Sequence, residues 1–325
     1  LTVQKGASNV NAPVSVLSEG GSGDVTQENT ATSDATAGNL NLTKQDADQE
    51  QSGDDCKCKD DDGGTQVIGQ YADSEQDAAA LAKTVQEKPS NTNVSIRVLS
   101  PGDTGNVTQT NTASSNATAG NVNLTKQDAD QKQGGGHDCK CSDGGTQVIG
   151  QSADSDQKAV AAAETVQVKP SNTNISVRVL SPGDDGDVTQ TNTASSDATA
   201  FNLNATKQDA DQKQDGSCKC AAGEQGIGQT ADSDQKAVAL ADTVQVKPSN
   251  TNISVRVLSY GDDGDVTQSN TATSDAKAGN INLTKQDADQ KQDGSGIQGI
   301  GQSADSDQKA LAASTTAPEK PSNKN

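Results

Sequence analysis

The sequence predicts an all-β fold: four tandem β-arch repeats stacked in register, an amyloid-like β-solenoid held by Asn, Gln and Ala ladders. Three observations lead there. The first is the stretch 27–51, QENTATSDATAGNLNLTKQDADQEQ, which returns at 109–133, 190–214 and 268–292. Its thirteen alternate positions, among them Gln27, Asn29, Asn39, Asn41, Gln45 and Gln49, are identical in the four copies, whereas eight of the twelve between them change. A period of two is the strand period, because successive side chains of an extended chain point to opposite faces. A helix protects positions three and four apart instead.

The second observation is another alternating row: Gln66, Ile68, Gln70, Ala72, Ser74, Gln76, Ala78, Ala80, Ala82, Thr84, Gln86. It is unchanged in the next two copies and departs in the fourth only at Ser314 and Pro318. The third is where length varies. Val25, Val107, Val188 and Val266 lie 82, 81 and 78 residues apart, and these drops match the shortening of the loop between the two rows from 14 to 13 to 10 residues. Loops that vary while their flanks do not belong on the outside.

Matching copies matter because the protected face is amide and small. Copies stacked about 4.7 Å apart let Asn and Gln bond to their own images above and below, while Ala and Ser let two sheets close as a steric zipper. In the second copy the row reads Gln109, Asn111, Asn121, Asn123, Gln127 and Gln131. A globular core seldom fills itself with such residues.

In chain order, residues 1–24 are an imperfect copy of a later segment, with Thr2-Val3-Gln4 matching Thr84-Val85-Gln86. A short strand follows each alanine row, carrying Val94, Ile96 and Val98, then Ile175, Val177 and Val179. Its expected partner is the drifting face of the amide block, around Leu40 and Leu42. Pro89, Pro170 and Pro248 before it and SPGD or SYGD after it are turn signals. The Ala-rich part at 154–167 has the composition of a short capped helix, but its alternate-position identity places it in a strand. The repeats are assigned to 1–83, 84–164, 165–242 and 243–325. The last segment returns to the phase of Lys88-Pro89-Ser90-Asn91 at Lys320, and no polar cap of the kind that terminates solenoids is evident there. Head-to-tail, heterologous self-association is therefore expected, with the chain itself as partner.

Composition narrows the function. Only 29% of residues are hydrophobic, one is Phe, two are Tyr, and the net charge is -20. That profile is the usual signature of disorder, against which stands the repeat. Neither a basic patch nor an aromatic platform for nucleic acid is visible, nor a run of about 18 apolar residues to span a membrane. The chain starts at Leu1, as a processed secreted product would. With one His and no nucleophile–base pair, P-loop or Rossmann pattern, catalysis and a bound cofactor are not expected.

Six cysteines form three Cys-x-Cys pairs, Cys56 and Cys58, Cys139 and Cys141, Cys218 and Cys220; the fourth copy has none. Layers about 4.7 Å apart fall inside the Cα separation of disulfides, so bridges between copies or chains are the favoured reading. Zinc held by these thiolates, with or without His137, remains open, as do free thiols. Asp60, Asp61, Asp62 and the PGDD turns lack the EF-hand spacing for calcium. Asp46 and Asp48 recur in every copy, and like charges near 4.8 Å cost roughly 0.9 kcal/mol per neighbour even in water. Columns of Lys44 and of Lys at the position of Glu50, or cations, are expected to neutralise them. Nine Asn-x-Ser/Thr sequons occur. Those at Asn41 and Asn123 lie in the protected row, so Asn106 and Asn116 are the glycosylation candidates.

The stretch QTNTASSNATAGNVNLTKQDADQKQ, stacked on its copies, resembles the amyloid-like repeat proteins of cell surfaces. Curli subunits share the Gln/Asn ladder logic with shorter repeats richer in Gly and aromatics. In overall character the chain is more similar to the sheath protein of filamentous methanogenic archaea. That resemblance implies secretion to the cell surface or sheath, β-arches stacked into hoops around the cell, and cross-linking through cysteine. The competing expectation is a monomeric β-solenoid binding module, ice-binding or carbohydrate-adhesive, raised by runs such as Thr108, Thr110, Thr112.

Overall fold

A computed structural model describes residues 1–52, 64–134, 145–215, 222–293 and 295–325. The chain enters through β1 (Thr2–Lys5), β2 (Ser8–Asn11) and β3 (Val14–Val16), then makes its first long pair, β4 (Val25–Ser52) and β5 (Thr65–Glu87). Each later circuit has one short strand and two long ones. These are β6 (Ser90–Val98), β7 (Val107–Gly134) and β8 (Thr146–Val168), then β9 (Ser171–Val179), β10 (Val188–Asp215) and β11 (Ala222–Val246). The last circuit is β12 (Ser249–Val257), β13 (Val266–Gln292) and β14 (Ser295–Glu319), and β15 (Ser322–Lys324) opens another. Among the described residues every element is a strand, including 154–167, where composition alone favours a helix.

Strands from successive circuits pair in parallel to form three sheets: an amide sheet β4-β7-β10-β13, an alanine sheet β1-β5-β8-β11-β14, and a short sheet β2-β6-β9-β12-β15, with β3 also on β6. Register is uninterrupted: Gln27 lies on Gln109, Gln109 on Gln190, Gln190 on Gln268. Strands of 28 residues run about 90 Å, far beyond the usual strand, because the alternation is unbroken and no Pro intrudes.

The two long sheets face each other through their invariant rows. Ala78, Ala80 and Ala82 close on Ala117 and Ala119 in a dry cluster that continues through every circuit, and Ile68, Ile149 and Ile227 make a second with Ala129 and Ala210. The small side chains let the sheets approach, and the interdigitated contact supplies dispersion and apolar burial.

One expectation is overturned. The short strand does not present Val94, Ile96 and Val98 to the drifting face of the amide block. It turns Asn91, Asn93, Ser95 and Arg97 inward and leaves Val94, Ile96 and Val98 half-exposed. Leu40 and Leu42 point to solvent. The short sheet packs instead on the invariant face, where Gln27 Nε2 donates to Thr92 O at 3.0 Å and Asn29 Nδ2 to Asn91 Oδ1 at 3.0 Å. An amide interior selects amide neighbours, because an apolar strand laid there would leave buried donors unmet.

The corners are sharp. Lys88, Lys169, Lys247 and Lys320, and likewise Leu99, Leu180 and Leu258, sit at φ between 49° and 53°, in the left-handed region. Gly6, at 61°, fills the equivalent of Lys88 in the first circuit. A non-glycine residue there is strained by about 1–2 kcal/mol, a cost the flanking ladders hold in place.

Candidate functional site

The chemistry-bearing surface is the set of columns running along the stack, together with the two faces where they stop. In the inner circuits Gln109, Asn111, Asn121, Asn123, Gln127 and Gln131 are fully buried. Asn39 Nδ2 donates to Asn121 Oδ1 at 3.0 Å, Asn121 to Asn202 at 3.0 Å, and Asn202 to Asn280 at 2.9 Å. The Asn41, Asn123, Asn204, Asn282 column runs the same way at 3.1, 2.9 and 2.9 Å. Gln columns run oppositely: Gln109 Nε2 donates back to Gln27 Oε1, Gln127 to Gln45 and Gln131 to Gln49, at 2.8, 2.8 and 3.1 Å. The remaining N–H crosses to the opposite sheet's backbone, as in Asn121 to Lys158 O at 2.9 Å and Gln157 to Leu203 O at 3.1 Å. Each amide is thus donor and acceptor at once, which is what lets identical groups satisfy one another in the dry interior.

The columns have polarity, so the two stack faces are complementary. By the direction of the ladders, β13 offers Nδ2 of Asn280 and Asn282 and Oε1 of Gln268, Gln286 and Gln290. The opposite face, β4, offers Oδ1 of Asn39 and Asn41 and Nε2 of Gln27, Gln45 and Gln49. Being at the face, Asn39 is exposed and Asn41, Gln45 and Gln49 half-buried, unlike their images inside.

A second column was not anticipated from sequence. Arg97 and Arg178, 2% and 0% exposed, lie inward in the short sheet and tie down the turns that follow it. Arg178 Nε donates to Asp185 Oδ1 at 2.7 Å, its Nη1 to Gly102 O at 2.9 Å and its Nη2 to Asp184 O at 2.7 Å. Arg256 Nε pairs with Asp263 at 2.5 Å and its Nη2 with Asp185 at 3.2 Å. The hydrogen bond from Arg256 holds the Asp263 carboxyl below its ordinary value. Arg97 differs, because Thr104 stands where the later circuits carry Asp185 and Asp263. It donates to Ser100 O, Ser22 Oγ, Gly20 O and Pro101 O, and burial, then Arg178, depress its basicity. The identity of Arg97, Arg178 and Arg256 in phase with the Asn91 row was the available signal.

Outward columns are acidic and only partly neutralised. Lys44 pairs with Asp46 at 2.6 Å, Lys285 with Asp287 at 2.5 Å, and Lys126 and Lys207 make the same pairing inside. The second expected neutraliser does not act as foreseen, since Lys213 reaches Asp215 at 2.8 Å instead of the Asp48 column. In that column burial, then Asp130 and Asp289, raise the Asp211 carboxyl. On the alanine sheet Asp154 is raised by burial and Asp156, and Asp156 by burial and Asp234. No cluster of three His, Cys, Asp or Glu able to hold a metal occurs among the described residues.

Cys56, Cys58, Cys139, Cys141, Cys218 and Cys220, with His137 and Asp60–Asp62, lie outside the described residues. Asn106 and Asn116 are exposed, while Asn123 and Asn204 are buried with their amides engaged in the column. Among the described residues no helix is long and apolar enough to cross a membrane. No protein family, curated protein or solved structure matches this chain.

Proposed function

We propose that the chain is a structural protein that self-assembles head to tail into an extracellular sheath, hoop or fibre, cross-linked by disulfides at its Cys-x-Cys loops. The observation that carries this reading is the matching polarity of the two faces. Asn280 and Asn282 on β13 point donors where β4 offers the oxygens of Asn39 and Asn41, and the Gln columns match in the opposite sense. A heterologous contact of this kind, repeated, gives a filament or a ring. Each added molecule extends every column at once, so the gain is cooperative although one net hydrogen bond is worth only about 1 kcal/mol. Cations along the Asp48 column are the second proposed partner, because among the described residues that column has no Lys pairing like its neighbour's.

The test is assembly of purified protein. Fibres or hoops with a reflection near about 4.7 Å, losing lateral cohesion under reductant, are the expected result. A second reading, a monomeric module binding ice or polysaccharide, draws on the Thr108, Thr110 and Thr112 columns, which register with Thr189, Thr191 and Thr193. A chain that stays monomeric at high concentration while binding such a surface favours that reading and overturns the first.

A further inference from the structure

The stack is not equally deep everywhere. Thr2 pairs with Thr84 and Ser8 with Ser90 at one face, while at the other Thr316 lies on Thr243 and Ser322 on Ser249. Residues 2–11 and 316–325 therefore hold the same position of the repeat at opposite faces. There the alanine and short sheets are five strands deep, whereas the amide sheet is four. When a second copy sets its β4 on β13 and its β5 on β14 in register, its residues 2–11 arrive at the level that residues 316–325 already fill. Both segments cannot occupy it.

One buried group indicates which segment belongs there. In the column Gln4, Gln86, Gln167, Gln245, each Nε2 donates to the Oε1 of the residue before it, all at 2.7 Å. Gln245 is fully buried, yet its Oε1 has no hydrogen-bond partner among the described residues. The residue registered over it is Pro318, which has no amide to give. Proline also lacks the backbone N–H and is tolerated in a sheet only at an edge such as β14. We propose that residues 316–325 are a displaceable cap, and that residues 2–11 of a second copy replace them on β11 and β12.

Gln4 of the incoming copy then donates to Gln245 Oε1, and its Asn9 and Asn11 take over the Asn250 and Asn252 columns from Asn323 and Asn325. The incoming segment keeps its own pairing to β5 and β6 and gains a second neighbour. The cap pairs on one side only, and the pairing that β11 and β12 lose with it the newcomer restores. Until displaced, Pro318 blunts the edge against indiscriminate strand addition. This proposal rests on the head-to-tail reading and adds to it the order of events at the joint.

Hydrogen exchange read by mass spectrometry on the full chain, before and after assembly, separates the two. The expected result is that residues 316–325 exchange faster in the polymer than in the monomer, while residues 2–11 and the rest slow. Pro318→Gln supplies the missing amide to the cap and is expected to slow elongation about fivefold, the equivalent of one net hydrogen bond. Polymer in which residues 316–325 become protected, or in which residues 2–11 are released, overturns the cap while leaving self-assembly standing. Unchanged elongation by Pro318→Gln does the same. A chain that never assembles sinks both.

Discussion

The two faces of one strand make opposite use of repetition. On β10 the inward Asn192 and Gln208 meet identical residues above and below and are satisfied by them. The outward Asp211, in the same strand and the same spacing, has its carboxyl raised first by burial and then by its own images Asp130 and Asp289. Identity stabilises a column only when the group is donor and acceptor together; a carboxylate is neither paired nor neutralised by its own image. Burial sharpens the contrast, because the amides have no water to fall back on.

The largest way to break that contrast is to carry the outer chemistry inside. Asn192→Asp places a charge among Asn111, Asn250 and Asn270 and is expected to cost about 3 kcal/mol or more, read as a fall in the unfolding midpoint. Arg178→Ala is expected to cost about 2–3 kcal/mol, because it leaves Gly102 O and Asp184 O without their donor and Asp185 with Arg256 as its remaining arginine. Thermal melts measure both.

These outcomes also mark what the sequence could disclose. Alternate-position identity located the long strands, and at 154–167 it outweighed helix-like composition. The same criterion applied to the short strand points the right way: Asn91, Asn172 and Asn250 are identical while Val94, Ile175 and Ile253 drift. Hydropathy pointed the wrong way there, because the interior is made of amides and an apolar row is the one turned out. The Arg column was hidden for the same reason. Its role depends on carbonyls of the preceding circuit, such as Gly102 O for Arg178, which no local motif announces. Nor does Lys88 carry any sign of its left-handed backbone, since the Pro that follows it favours an extended residue there.

A milder test titrates the outer face. The folded-state carboxyls of Asp154, Asp156 and Asp211 are raised, so the folded stack binds their protons more tightly than the unfolded chain does. The stability this confers is fully present below the unfolded carboxylate value and is lost as pH rises through the raised one. Lowering the pH from neutral toward about 4 is therefore expected to stabilise the stack, with Asp263, held low by Arg256, opposing part of the gain. Denaturant midpoints across that range give the sign, and stability that falls monotonically with acid contradicts it.

Smaller still, Asp211→Asn removes two like-charge contacts and is expected to stabilise by about 0.2–1 kcal/mol. The effect should shrink in high salt. Least of all, Lys169→Gly relieves a left-handed lysine at the corner but loosens the unfolded chain, leaving a net gain of about 0.5 kcal/mol. A loss at that position would show that the Lys169 side chain contributes more than its backbone costs.

The measurement that bears most directly on the account is electron cryomicroscopy of the assembled polymer, resolved well enough to follow side chains across the joint between molecules. The expected image has β13 of one molecule parallel to β4 of the next at about 4.8 Å, with Asn280 over Asn39 and Gln286 over Gln45, so that no column is broken at the boundary. Neighbours that meet out of register, antiparallel, or only through their outer faces would contradict it.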